Sequence, residues 1–348
     1  FHLVTRNTDP ETYDPVTAGY MGFGEQSGSK RSTQKTYLAD AAANGADILV
    51  NCRIERVLVE GGRAAGVEGT WTRDDGTAVP VTVRAPQVAV ACGSIESPAL
   101  LLRSGIGGPA AGDYLRLHPA AAIFGVYAEN QDPWWGPPQA GLSHAFADIE
   151  DGYGYLLECA HHTTGLYAAA VPWQSGAAHK AEMLKYRRGS SFIIVTRDRG
   201  HGRVGIDGRG LAAPAYPLSD ELDIRHIRAG LEEMIRLHEA AGAEEIMALG
   251  RKTPVWRRGD DLDAFATAVR DASLAPREMA IFSAHQMGSC RMGSDPATSV
   301  AGPWGELHDT PGVWIGDASA FPTASGTNPM ITIMALARRT AKAMEAAS

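Results

Sequence analysis

The sequence predicts an α/β unit combined with an α+β unit in which helices flank an antiparallel sheet. Three observations support this fold class. Residues 54–103 read as hairpin strands, a short apolar strand, a glycine and a helix, an order typical of α/β domains. Residues 120–206 read as short strands separated by loops rich in Pro, Gly and Trp. Residues 313–344 return to a strand, a small-residue turn and an apolar helix.

The first part of the chain supplies most strands of the α/β unit. Residues 1–35 are polar and rich in turn formers, so we expect little regular structure there. A helix is predicted over residues 36–44, because apolar residues have helical spacing and Gly45 ends the pattern. The other elements predicted here are strands at residues 47–50, 54–60, 64–72, 79–83 and 87–91, and a helix at residues 96–103.

The rest of the chain is predicted to hold the antiparallel sheet, its helices and the closing α/β elements. A long amphipathic helix is expected over residues 220–241, with Ser219 as its cap and Gly242 as its stop. A second helix is expected over residues 261–272. The predicted strands are residues 120–127, 154–159, 166–171, 191–196, 203–206 and 313–315, and the last predicted helix is residues 330–344.

Bulk composition limits the classes of function. A chain of 348 residues exceeds the usual single domain, so two structural units are expected. The net charge of −8 indicates no basic face, so nucleic acid is not expected as a partner. The four cysteines are far apart and form no CxxC pair, which argues against a disulfide framework. No segment approaches the about 20 apolar residues of a membrane helix, while surface association with a membrane stays open.

Two segments carry the clearest functional signal. In residues 312–329, a short strand ends in Gly316-Asp317-Ala318, where backbone amides can approach a phosphate or ribityl chain. Asn328 and Pro329 follow at the expected N-cap and first position of the last helix. The N-terminus of a helix favours an anion or an electron-rich ring. The second segment, residues 283–293, contains His285, a side chain suited to proton transfer near neutral pH.

A third segment completes a family resemblance. Residues 93–107 read Gly-Ser-Ile-Glu-Ser-Pro-Ala-Leu-Leu-Leu-Arg-Ser-Gly-Ile-Gly. Together with the two segments above, they resemble the signature sequences of the glucose–methanol–choline (GMC) oxidoreductases, a family of flavoenzymes. Residues 22–38, which begin Gly-Phe-Gly, and residues 114–119, which read Tyr-Leu-Arg-Leu-His-Pro, are more similar to the long-chain alcohol oxidase branch. The resemblance extends over essentially the whole chain.

The resemblance implies a domain organisation and a cofactor. Residues 1–107 and 280–348 would form an incomplete FAD-binding α/β domain, and residues 108–279 the substrate-binding domain. Family members open with a Gly-x-Gly-x-x-Gly turn that binds the FAD pyrophosphate, and no glycine cluster of this chain has that spacing after a strand. We therefore expect the C-terminal part of a longer protein, and FAD binding by this chain alone stays open.

The resemblance also assigns roles to single residues. His285 would remove the hydroxyl proton while hydride leaves for the flavin N5, and Asn328 would hold the same oxygen. A histidine among Gly and Ser is, by itself, more often structural. The residues expected at the cofactor, through their backbone or side chains, are Ile54, Gly93, Ser97, Asp317, Ala318, Asn328, Pro329 and Met330. An Asx turn at Asp317 and purely structural roles for Ile54, Gly93 and Ser97 remain alternatives.

Four other residues attract attention. Glu158 lies in an apolar strand, so it either pairs with a cation or faces the substrate as a candidate binding residue. His161 and His162 are adjacent strand residues that point to opposite faces, and no third ligand has a suitable spacing, so no metal site is predicted. His118 matches a family position whose role stays open.

These expectations combine into a predicted function with alternatives. The chain is expected to act in FAD-dependent oxidation of a primary alcohol, with long-chain or otherwise hydrophobic alcohols as candidates, to the aldehyde. The partners would be the small-molecule alcohol and an electron acceptor, either oxygen or another compound. Two alternatives stay open: a hydroxynitrile-lyase-like FAD protein, and an inactive fragment or subunit that lacks its dinucleotide-binding unit.

Overall fold

The computed structural model describes residues 8–22, 24–137 and 139–348. Phe23 of the Gly-Phe-Gly motif and residues 1–7 of the predicted irregular segment lie outside these ranges. The chain forms two compact units. The first unit comprises Phe1–Asp47, Pro119–Thr196 and Glu221–Phe282, and the second comprises Ile48–His118, Arg197–Asp220 and Ser283–Ser348. This division concerns packing, so the functional domain limits after residues 107 and 279 stay a prediction.

Strands and α-helices make up the regular structure of both units. In chain order, the strands are β1 (Cys52–Glu60), β2 (Arg63–Thr72), β3 (Ala78–Arg84), β4 (Val88–Val90), β5 (Asp113–Leu115), β6 (Ala120–Val126), β7 (Leu142–Ser143), β8 (Tyr155–Ala160), β9 (Gly189–Thr196), β10 (Gly202–Ile206), β11 (Ala212–Ala215), β12 (Glu245–Ala248), β13 (Val255–Arg257) and β14 (Val313–Ile315). The helices are α1 (Tyr37–Ala43), α2 (Gly93–Ser104), α3 (Thr164–Ala170), α4 (Gly176–Met183), α5 (Glu221–Ala240), α6 (Leu262–Arg270) and α7 (Met330–Ala346).

A six-stranded antiparallel sheet organises the first unit. Its strand order is β13-β12-β6-β9-β8-β7. Every residue of β6 is buried, and helix α5 packs across β6, β9 and β8. The buried apolar residues of α5 recur at helical spacing, which gives the helix one face for the sheet; they are Leu222, Ile227, Leu231, Met234 and Ile235.

The helix α5 approaches its sheet through a glycine. A Cβ atom on Gly230 would lie 2.5 Å from Cγ2 of Ile194, a fully buried residue of β9. No side chain larger than hydrogen fits there without a shift of helix or sheet, because protein interiors are close-packed. The contact therefore fixes the distance between the helix and the sheet.

The second unit contains smaller sheets and the parallel pair expected of an α/β fold. β1, β2 and β3 form an antiparallel meander, and β11, β10 and β5 form another sheet. β4 and β14 pair in parallel, and helix α2 follows β4 almost directly. The main core cluster lies around this pair and includes Val57, Val90, Leu100, Leu101, Val313 and Ile315. The predicted fold class is confirmed, since the first unit supplies the antiparallel sheet with helices and the second the α/β elements.

Two predicted strands are wrong. Residues 47–50 form no strand: Ile48, Leu49 and Val50 are 53%, 54% and 66% exposed, and no described strand pairs with them. The segment at residues 166–171 belongs to helix α3 instead. Its start is marked by the Thr163 hydroxyl, which accepts a hydrogen bond from the Leu166 N–H. This cap and the three alanines that follow Tyr167 favour a helix over a strand.

The structure also differs from the prediction in the pairing of one strand and in several short elements. β10 exists where predicted, but it pairs with β5 and β11 in the second unit rather than with the large sheet. No pattern in the sequence predicts β5, β7, β11, β12, β13 and α4, which are short. The remaining predicted helices and strands are confirmed, with ends that differ by a few residues. Within residues 8–22, 24–137 and 139–348, no helix has the length and apolar character needed to cross a membrane.

The glycine contact between α5 and β9 can be tested by mutation. The Gly230→Val variant is expected to lower the free energy of unfolding by about 1–3 kcal/mol, because the added atoms overpack a filled core. The same change at Gly176, where a Cβ meets no atom within 4 Å, is the matched control and is expected to have a much smaller effect. Urea unfolding followed by circular dichroism measures both, and equal losses would contradict the packing argument.

Candidate functional site

One buried carboxylate joins the residues predicted to surround the cofactor. Asp317 follows β14 and is 9% exposed. Its Oδ2 accepts hydrogen bonds from the Gly93 N–H (2.8 Å) and from the Ser97 hydroxyl. Its Oδ1 accepts hydrogen bonds from the N–H (2.8 Å) and hydroxyl of Ser319. The structure thus brings Gly93, Ser97 and Asp317 together, with Ala318 next in the chain.

These contacts show what Asp317 does in the folded chain. Its carboxylate ties the start of α2 to the end of β14 and caps the 3₁₀ turn Ala318–Ala320. Four donors already engage the two oxygens, so the side chain acts as the Asx-type link that was the alternative for Asp317. A ligand would therefore meet the backbone of this turn rather than the carboxylate.

Gly93 leaves space at the start of α2. Its φ is +82°, a conformation that glycine adopts at little cost. A Cβ atom placed there would meet no atom within 4 Å. Glycine is therefore required for the backbone turn, and the space beside it can receive a group that approaches the chain closely.

The segment that carries His285 lies against the same turn. Backbone N–H groups of Gly288, Cys290 and Met292 donate to carbonyls of residues 318–320 at 2.9–3.1 Å. On its other side, the hydroxyl of Ser94 in α2 donates to the Gln286 carbonyl at 2.9 Å. The three signature segments of the sequence are therefore hydrogen-bonded to one another within the second unit.

His285 is paired with a second histidine. The Nδ1 atoms of His118 and His285 are 3.2 Å apart, and the rings are perpendicular with centroids separated by 5.3 Å. The Gly326 N–H donates to Nε2 of His118 at 3.0 Å. His118 thus links His285 to a residue only two positions before Asn328, in the last signature segment.

The backbone of His118 is held by a buried acid. His118 is 1% exposed and has a φ of +50°, which is uncommon outside glycine. The Asp198 carboxylate, itself fully buried, accepts the N–H groups of Leu117 (2.9 Å) and His118 (3.1 Å). The Tyr216 hydroxyl donates to the same carboxylate at 2.9 Å. These bonds hold His118 in a conformation that costs about 1–3 kcal/mol in isolation.

Burial keeps both imidazoles neutral near pH 7. Burial, assisted by the neighbouring His285 and Arg197, lowers the pKa of His118 to about 3. Burial also lowers the pKa of His285 below the ordinary value of 6.5. The same cause raises the pKa of Asp198, against the opposing effect of its hydrogen bonds. A neutral His285 can exchange hydrogen bonds with a ligand without first losing a proton to water.

The start of helix α7 differs from the predicted one. The helix begins at Met330, and Pro329 is its N-cap, so the expectation that Asn328 caps the helix is wrong by one residue. Proline offers no capping side chain of its own. Asn328 therefore lies just outside the helix, between Gly326 and the buried Pro329.

Ile54 and Glu158 make contacts of their own. Ile54, on β1, packs against the core cluster of the second unit, as its structural alternative predicts. Glu158, on β8 of the first unit, is 2% exposed and accepts a hydrogen bond from the Gln139 amide at 3.2 Å. In the part of the chain that the structure describes, no three His, Cys, Asp or Glu side chains are arranged to hold a metal ion.

Sequence reasoning missed two supporting residues. Asp198 lies in the run Arg-Asp-Arg at residues 197–199, and such a charged run usually indicates an exposed loop. Tyr216, which donates to Asp198, follows a proline-containing strand and carried no motif. Only the fold shows that this carboxylate is buried against the backbone of His118.

Comparisons with known proteins identify similar sequences. Two family models described as GMC oxidoreductase match residues 2–120 and 199–337. Long-chain-alcohol oxidase FAO4A of Arabidopsis thaliana is 30% identical over 96% of this chain and 47% of its own length. The 2-methyl-1,2-propanediol dehydrogenase of Mycolicibacterium austroafricanum is 25% identical over 97% of this chain and 61% of its own length. The chain spans about half the length of the first of these relatives.

Solved structures share the fold. Pyridoxine 4-oxidase from Mesorbium loti is 18% identical with a TM-score of 0.69, over 97% of this chain and 71% of that one. An FAD-dependent oxidoreductase from Chaetomium thermophilum is 15% identical with a TM-score of 0.60, over 91% of this chain and 64% of that one. Identities this low indicate a common fold and carry no information on substrate.

The contribution of the Asp317 hydrogen bonds to stability can be tested by mutation. In the Asp317→Asn variant, an NH₂ group replaces one acceptor oxygen and faces donors that it cannot satisfy. We expect the free energy of unfolding to fall by about 2–4 kcal/mol, since buried unsatisfied groups cost about 1–3 kcal/mol each. The exposed Asp75, which accepts the Thr77 N–H, provides the matched control Asp75→Asn. Equal stability of the two variants in chemical unfolding would show that the link is not needed.

Proposed function

The chain belongs to the GMC oxidoreductase family, and on this premise we propose that it acts in FAD-dependent oxidation of a primary alcohol to the aldehyde. The family's members are FAD-dependent flavoproteins. The observation that carries the proposal is the placement of His285, hydrogen-bonded through His118 to the segment just before Asn328. The names of the relatives, long-chain-alcohol oxidases and a 2-methyl-1,2-propanediol dehydrogenase, support an alcohol as the substrate.

The residues present fit the cofactor. Gly93 offers a backbone turn with open space beside it, and the Gly316-Asp317-Ala318 turn offers backbone groups for a ribityl or phosphate chain. Pro329 and Met330 begin helix α7, and the N-terminus of a helix carries about half a positive charge. That end would stabilise negative charge on a ring placed against it. When bound, FAD would supply the acceptor for the hydride that leaves the alcohol carbon.

The side chains of this chain would hold the alcohol oxygen. We assign Nε2 of His285 and the Asn328 amide to that oxygen, because Nδ1 of His285 already contacts His118. Two fixed partners orient the hydroxyl and raise the fraction of productive encounters. Acceptance of the hydroxyl proton by His285 requires that Nε2 carries no proton when the alcohol arrives.

The identity of the substrate is proposed from the same relatives. Long-chain primary alcohols are the first candidates, because long-chain-alcohol oxidases are among the similar proteins. Oxygen is the first electron acceptor to test, and other acceptors are equally compatible with the residues described. Glu158 stays a candidate for substrate binding, in the first unit.

Reduction of bound flavin tests this function. The purified chain is loaded with FAD, freed of excess cofactor and mixed without oxygen with a long-chain primary alcohol. We expect the absorbance of oxidised flavin to disappear. A tertiary alcohol of the same length is the matched control, because its carbinol carbon carries no hydrogen to transfer.

Variants test the assignment of His285. The His285→Ala variant is expected to bleach the flavin about 10²–10⁴-fold more slowly, the usual contribution of a group that handles the proton. The exposed His144 provides the control His144→Ala, which should bleach as fast as the parent protein. Flavin that stays oxidised with every primary alcohol would contradict the redox function. Bleaching at the parent rate in His285→Ala would contradict the site alone.

A further inference from the structure

The hydrogen bond from Gly326 fixes the proton of His118. A backbone N–H only donates, so Nε2 of His118 must accept with its lone pair and cannot carry a proton. A neutral imidazole has one proton, and His118 is neutral because burial lowers its pKa to about 3. The proton of His118 therefore resides on Nδ1.

The position of that proton determines the tautomer of His285. Nδ1 of His118 lies 3.2 Å from Nδ1 of His285, so the protonated nitrogen of His118 donates and that of His285 accepts. The opposite direction would require His118 to accept at both nitrogens, which only an imidazolate can do. With Nδ1 occupied as an acceptor, neutral His285 carries its proton on Nε2.

We propose that His118 is a positioning residue that holds His285, in the resting chain, in the tautomer with the proton on Nε2. This inference goes beyond the proposed function, because it concerns the resting chain and requires neither cofactor nor substrate. It assigns a role to the histidine of the Leu-His-Pro sequence at residues 117–119 that sequence motifs leave open.

The surroundings of His118 prevent other arrangements of its ring. A ring flip would replace both nitrogens by carbons and break the bonds to His285 and Gly326 together. The backbone cannot relax readily, since Asp198 holds the N–H groups of Leu117 and His118. His118 is 1% exposed, so water has little access to compete for its nitrogens.

The pair also restricts when His285 can take up a proton. Nε2 of His285 becomes an acceptor only if its proton moves to Nδ1, which requires His118 to give up its own Nδ1 proton. His118 can then hold a proton only on Nε2, where it meets the Gly326 N–H. The ability of His285 to accept a proton is therefore coupled to displacement of the Gly326 peptide, in the segment that leads to Asn328.

Nitrogen NMR on the histidine-labelled, cofactor-free chain tests the proposal directly. We expect one hydrogen covalently bound to Nδ1 of His118, with a scalar coupling across the hydrogen bond to Nδ1 of His285. We expect Nε2 of His285 to show the chemical shift of a protonated nitrogen. A proton bound to Nδ1 of His285, or to Nε2 of His118, would overturn the proposal whatever the result of the flavin assay.

Two variants test the donor Nδ1 and the acceptor Nε2 of His118 separately. His118→Asn keeps an N–H donor near the position of Nδ1, and asparagine tolerates a positive φ, so the Nδ1 resonance of His285 should stay that of an acceptor. His118→Gln can reach the Gly326 N–H with its amide oxygen but offers no donor in place of Nδ1. There the Nδ1 resonance of His285 is expected to shift toward the protonated range.

A third histidine reports whether the variants are folded. His308, in the same unit, donates Nε2–H to the Ser299 oxygen at 2.9 Å, because the Ser299 hydroxyl itself donates to Asp295. Its signals should be unchanged in both variants. An unchanged His285 in the folded His118→Gln variant would show that His118 does not set the tautomer.

Discussion

The acceptance of four hydrogen bonds by the Asp317 carboxylate is the constraint on which the candidate site depends. These bonds join the end of β14 to the start of α2, two elements that lie 224 positions apart at the Gly93 contact. The turn that Asp317 caps then provides the carbonyls to which residues 288–292 bind. The position of the segment that carries His285 therefore depends on a carboxylate that need not touch any ligand. In this arrangement, the Asp317 side chain holds the segments in place, and only the backbone of the turn would be available to contact a cofactor.

A second constraint acts at the other end of the site, through His118. Its ring binds His285 on one side and Gly326 on the other, so two chain segments are held at hydrogen-bond distance by one buried side chain. Asp198 secures the unusual backbone conformation of His118. The two buried acids, Asp198 and Asp317, play parallel parts, because each fixes backbone groups of the segments that carry the candidate functional residues.

The sequence predicts the helices and strands of this fold better than it predicts the contacts between them. Long amphipathic or apolar runs, such as those of α5 and α7, have a clear period and were predicted correctly. The segment of α3 has no such period, and its type depends on the Thr163 cap. Motif resemblance located His285, Asp317 and Gly93 in the sequence. The bonds that join them cross most of the chain, and local patterns contain no information on such pairings. The burial of Asp198 could not be predicted, because its two arginine neighbours are typical of a solvent-exposed loop.

The glycine contact between α5 and β9 has a mechanical consequence. A helix seated directly on a buried isoleucine cannot slide along its sheet unless Ile194 changes its rotamer or the backbone yields. Sliding of layers is one of the two common ways in which protein units deform, and the other is bending at hinges. Within the first unit, helix α5 and the sheet should therefore move as one rigid body. Any conformational change on ligand binding would then occur in the loops of that unit.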